Sequence, residues 1–356
     1  MAHQPENDEY WNLGGPKIYS EADIDSAVAA GVLSGEDARR LRRHVLAAKA
    51  PLSADEEYFR LVGGFNDIFV TIACALLLAA TGWLLRNIYP AHPAIFPGGV
   101  AFLAWALAEY FVRKKRLALT AIILLFVFAG GVFFGVLFSF PDSPQDPQHL
   151  VEGAAIATAV AAGLHWRRFH VPVAVASGVA AVLCLVIAGI LRIIPEAKLF
   201  LAPIFFGAGV MVLALALYWD SLDVARQTRH SDIAFWLHLL AAPLLVHPVF
   251  QAIGIFEGKA SFEQALAVVG IYGVLGFISL IVDRRALMVS SLGYTVYALN
   301  VVFREYGVVE QGVATAALVV GSSLLLLAAF WQPARARAVK RLPKRLQARF
   351  PPVDRA

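Results

Sequence analysis

Residues 95–140 read IFPGGVAFLAWALAEYFVRKKRLALTAIILLFVFAGGVFFGVLFSF. Two apolar runs, 95–112 and 117–140, flank the basic knot Arg113-Lys114-Lys115-Arg116. A helix rises about 1.5 Å per residue, so about 20 residues cross a hydrocarbon layer. Both runs are near or above that length, and the basic charge is held in the turn between them. Backbone groups left unpaired in lipid are costly, so each run must be helical. Two spanning helices joined by a basic turn are the unit from which the rest of the chain reads.

The alternation extends in both directions. Apolar runs also fill 66–88, 149–166, 171–194, 199–219, 233–256, 264–282, 286–303 and 312–331. That makes ten spans and an all-α polytopic membrane helix bundle over 66–331. The 356 residues are 59% hydrophobic and 16% charged, with a mean hydropathy of +0.67. A soluble domain carries about 25% charged residues, so lipid is the expected solvent for most of the chain. Arg167-Arg168, Arg226 with Arg229, and Arg284-Arg285 fall on the same side as Arg113. The other loops hold Asp142, Asp146, Glu196, Glu257, Glu263 and Glu310. The positive-inside rule then puts the basic loops and both termini in the cytoplasm. The first apolar run begins only near Ile68, behind a long polar segment, which does not read as a signal peptide.

The ends differ in charge. The first sixty residues hold eleven acids against seven bases, and residues 332–356 hold eight bases against one acid. Residues 1–65 read as a cytosolic segment with a helical hairpin near 20–49. Ser20 with Asp23 and Ser34 with Asp37 fit the capping-box spacing, and Gly31 stands where a helix-terminating glycine belongs. The hairpin is either a small cap or a docking surface for a protein partner. The basic tail, 332–356, alternates charge with Val339, Leu342, Leu346 and Phe350, a composition suited to anionic lipid headgroups. Nucleic acid is not the expected partner, because the hairpin's bases are one dense cluster beside many acids.

A repeat of about 110 residues is visible. Spans one, five and nine close on Arg86, Arg192 and Arg304, and the following spans close on Tyr110-Phe111, Tyr218-Trp219 and Phe330-Trp331. The pattern reads as 4+4+2 parallel units. Arg86, Arg192 and Arg304 form either an outer basic vestibule for anions or a snorkelling ring at the headgroups.

Span seven carries His238, Pro243, His247, Pro248 and Gln251. Its prolines predict a bent or broken helix, a common setting for a binding site. In span nine Ser290, Tyr294, Tyr297 and Arg304 share a face, with Asn300 to one side. The two spans are expected either to line a cavity or to exchange interhelical hydrogen bonds. His165 is expected at the interface, and Glu109 to pair with Arg113 one turn on. Gly131 with Gly135, and Gly270, Gly273 and Gly276, are expected to allow close helix packing. His238 and His247 alone make no metal site, and Cys74 and Cys184 are expected as core residues. No cofactor motif and no catalytic motif is present.

Residues 24–34, IDSAVAAGVLS, and residues 231–238, SDIAFWLH, resemble bacterial polytopic membrane proteins grouped under a domain of unknown function. The resemblance implies a bacterial inner-membrane, multi-pass setting and supplies no activity. The residues themselves favour a transporter or binder of a small solute, with anions selected by the arginines. The alternative is a non-catalytic scaffold or sensor that engages a partner through the hairpin. An enzyme ranks third, since no acid, base and nucleophile converge.

Overall fold

The computed structural model describes residues 21–49, 65–139, 147–223, 228–254, 261–284 and 312–343, with isolated positions between 288 and 303. Every described element is a helix. The chain divides into a unit over Met1–Ala54 and a second over Asp55–Arg355.

The first unit holds α1 (Glu21–Ala29) and α2 (Gly35–Lys49). Gly31, at φ +69°, takes the left-handed turn that ends α1, a conformation glycine adopts without penalty. The Ser34 hydroxyl accepts the Asp37 amide at 3.0 Å and so starts α2. Arg42 pairs with Asp25 at 2.6 Å across the hairpin, and Ala38 is the buried contact. Ser20 lies outside the described residues.

The second unit holds α3 (Phe65–Ile88), α4 (Ile95–Phe111), α5 (Ala118–Leu137), α6 (Pro147–Phe169), α7 (Val173–Ile193), α8 (Leu201–Ser221), α9 (Arg229–Ala252), α10 (Phe262–Val282), α11 (Gly312–Ala329) and α12 (Trp331–Lys340). Among the described residues five helical segments are long and apolar enough to cross a membrane: Phe65–Ile88, Ala118–Leu137, Val173–Ile193, Pro195–Ser221 and Arg229–Ala252. A sixth is added if α11 and α12, bent by 71° at Phe330, count as one span. Half of the expected span nine, 286–303, lies outside the described residues.

Neighbouring helices pack as antiparallel pairs, α4 on α5, α6 on α7 and α8 on α9. Small residues set two close approaches. A Cβ on Gly131 of α5 would meet the Pro97 carbonyl at 2.7 Å and Ala101 at 2.8 Å. A Cβ on Gly209 of α8 would meet Leu245 at 2.8 Å and the Leu244 backbone at 3.0 Å. Gly270 and Gly273 face open space among the described residues, so the close packing expected of them is not seen there.

The break expected in span seven is not seen. α9 runs unbroken through Pro243 and Pro248. The surrounding packing holds the helix although the Leu239 and Leu244 carbonyls lose their proline-side donors. His165 is fully buried in the bundle, one turn before the end of α6, where it faces Trp105 and Phe128. The tail begins as a helix. α12 packs on α10, with Trp331, Arg335, Ala338 and Val339 turned inward.

Candidate functional site

α5 begins at a carboxylate from another helix. Its own N-cap is Leu117, which has no side chain to offer. Asp67 of α3 takes that role: the Leu119 and Thr120 amides donate to it at 3.0 and 3.1 Å, and the Thr120 hydroxyl at 2.9 Å. This fixes the α4–α5 turn in space, since the first amides of a helix are unpaired and carry its positive dipole end. The turn presents Arg113 and Arg116. Beside it Arg168 of α6 is held by Glu109 of α4 through two bonds, at 2.7 and 2.9 Å. Glu109 lies 3.5 Å from Arg113, so the expected one-turn pair exists but is the weaker partner.

Three chain turns converge here: α4–α5, α6–α7 and the start of α9. Between them lies a cavity of about 780 Å³. Its charged lining is Arg113, Arg116, Arg168 and Arg229 against the single carboxylate of Asp232, with His170 and Thr228 adding polar groups. Val112, Phe169, Val171 and Trp236 make the apolar wall. The N-terminal ends of α5, α7 and α9 all reach the lining; that of α5 is met by Asp67 and that of α9 is capped by Thr228, which leaves α7 as the uncapped positive dipole end. No side chain caps α7 at Pro172. Two lining residues, Arg116 and His170, both hold φ +55°, a left-handed conformation uncommon outside glycine. Strained backbone of this kind gathers at ligand sites.

A buried polar cluster lies next to the cavity. Asp220, at the end of α8, accepts from Arg284 at 2.5 Å and shares a hydrogen with His238 Nε2 at 2.8 Å. Arg284 also donates to the Ser231 hydroxyl at 3.0 Å and carbonyl at 3.1 Å. A helical side chain leans toward its N-terminus, so His238 reaches back along α9 to the level of Asp220. Ser279 donates to the Arg284 carbonyl, locking the turn after α10. Asp283 in that turn accepts from Trp331 Nε1 at 2.9 Å and faces Arg335 at 3.4 Å. His238 Nδ1 has no hydrogen-bond partner among the described residues.

The sequence-derived candidates scatter. His238 is committed to Asp220, whereas His247, Gln251 and Tyr297 are exposed. Asn300 keeps a buried side-chain oxygen without a partner among the described residues. Tyr294, Ser290 and Arg304 lie outside the described residues. None of the described candidates lines the basic cavity. Of the outer arginines, Arg86 is exposed at the end of α3, and Arg192 is paired with Glu152 at 3.0 Å. The missed residues are Arg113, Arg116, Arg168 and Arg229. Their signal in the sequence is the basic turns, which the positive-inside rule alone accounts for. Among the described residues no three His, Cys, Asp or Glu side chains gather as metal ligands.

No protein-family model matches the chain. No curated protein matches it, and no solved structure does. The family resemblance of residues 24–34 and 231–238 therefore rests on those residues alone.

Proposed function

We propose that this chain is a multi-pass inner-membrane protein that binds, and moves or senses, a small anion through the cavity on its arginine-bearing face. The carrying observation is the 780 Å³ space lined by four guanidinium groups and the Asp232 carboxylate and reached by three long-helix N-termini; Glu109 behind the lining offsets part of that charge through Arg168 and Arg113. Anions favour such a place twice over, by charge and by helix dipole. This moves the anion site from the outer arginines to the inner turns. The ten spans, the 4+4+2 parallel repeat and the cytoplasmic placement of both termini belong to the same proposal. They follow from the alternation of apolar runs and basic turns.

The test is titration of the purified protein in neutral-lipid nanodiscs with inorganic phosphate, followed by calorimetry. Arg116→Gln/Arg229→Gln removes two lining charges. Each charge-assisted hydrogen bond contributes roughly 1.5–3 kcal/mol, so affinity should fall at least tenfold. Raising salt should weaken binding in the parent protein. Phosphate binding that is absent, or unchanged in the double variant, refutes the reading.

A further inference from the structure

A second concavity lies against the first. It is a groove of about 740 Å³ between α6, α7 and α8, and its lining is almost wholly apolar. Its floor is small, with Ala162, Gly163 and Gly178, and its walls are Val179, Met211 and Leu215. On α6 the groove residues Ala159, Gly163 and Trp166 continue at helical spacing into Phe169 and His170 of the cavity. On α7 the cavity residues Val171 and Pro172 lead directly into Ala174 and Gly178 of the groove. The two linings touch where the Trp166 and His170 rings stand 5.8 Å apart. From Ala159 to His170 the path is about 16 Å at helical rise, close to the roughly 15 Å of hydrocarbon in one leaflet.

We infer that the ligand of the basic cavity is an anionic amphiphile, its phosphate headgroup among the arginines and one acyl chain along the α6–α7–α8 groove. The inference rests on the anion-binding reading of the cavity and sharpens it. A chain leaving bilayer for groove gains little hydrophobic energy, since lipid tails are as apolar as the groove. What the groove supplies is room, so that a headgroup can reach the arginines while still joined to its tail. Charge complementarity at one end and an apolar slot of one-leaflet length at the other fit this occupant and no soluble metabolite. Gly163 is the key position, because a Cβ there meets nothing within 4 Å. A side chain added at 163 therefore starts in open space on the groove lining.

The experiment compares two probes. Phosphatidylglycerol retained against phosphatidylcholine is counted by native mass spectrometry of protein taken from mixed-lipid nanodiscs. Inorganic phosphate is titrated by calorimetry. The parent protein should prefer phosphatidylglycerol at least tenfold. Gly163→Leu should abolish that preference and leave phosphate affinity within twofold, which also shows that the variant is folded. Met211→Trp, from the opposite wall, should do the same. Arg116→Gln/Arg229→Gln should lose both ligands. A lipid preference untouched by both groove variants, with phosphate binding intact, overturns the amphiphile and leaves the anion cavity standing. Loss of neither ligand in the arginine double variant overturns the cavity itself.

Discussion

Asp67 supplies, from α3, a cap that α5 cannot make for itself. Buried amides that lose an acceptor cost about 1–3 kcal/mol, and three donors converge on this one carboxylate. Asp67→Ala should therefore lower thermal stability in detergent by at least that amount. It should also loosen the turn that carries Arg116, so phosphate affinity should drop with it. Arg116 itself poses the opposite case. Its left-handed backbone costs roughly 1–2 kcal/mol, and glycine there removes the strain while adding about 0.4–1 kcal/mol of unfolded-chain entropy. The difference favours the variant. Arg116→Gly should melt slightly higher than the parent while binding phosphate more weakly, the pattern of a residue strained for its ligand. A melting point that falls together with affinity would place Arg116 among ordinary structural residues.

At the scale of helices, the close approaches and the buried cluster make separable demands. Gly131→Ala forces α4 and α5 apart against a backbone oxygen, and overpacking of this kind costs about 1–3 kcal/mol. Gly163→Ala, in open space, should cost little, and thermal melts in one detergent compare the two directly. Arg284 joins α8, α9 and the turn after α10 through Asp220 and Ser231. Removing one member of a buried ion pair costs about 3–5 kcal/mol, because the other is stranded. Arg284→Met should be that destabilising, and Asp220→Leu in the same chain should recover much of the loss in a double-mutant cycle. The helices were legible in the sequence because about 20 apolar residues in lipid allow one backbone solution. α3 and α4 begin within a residue of their expected starts. The cavity was not legible: Arg113, Arg168 and Arg229 belong to three turns far apart in sequence, and only packing brings them together. The burial of His165 was equally hidden: Trp166 and Arg167 mark a helix end, and only the packing turns the His165 side chain to the α4–α5 core.

Across the whole molecule one interaction recurs. Glu109, near the end of α4, holds Arg168 at the end of α6 at 2.7 Å. Asp220, at the end of α8, holds Arg284 just after α10 at 2.5 Å. In the proposed parallel repeat each joins the second helix to the end of the fourth, although Glu109 stands just before Tyr110 and Asp220 just after Trp219, so the carboxylates are not at matched positions. The opposite face has a tie of its own, Arg192 of α7 to Glu152 of α6 at 3.0 Å, but both of these clasps sit with the basic turns and join the ends of four helices on one face. That face must lie in the cytoplasm if the positive-inside rule governs insertion, and the anion cavity opens with it. Cysteine labelling checks the arrangement in a background where Cys74 and Cys184 are replaced by alanine. Arg116→Cys, beside the cavity, should resist a membrane-impermeant maleimide in intact cells and react after lysis. His92→Cys, in the turn between α3 and α4, should react in intact cells. Reversal of the two would invert the bundle and expose the cavity to the outside. Equal reaction of both in intact cells would mean that α4 does not cross, and with it the ten-span alternation fails.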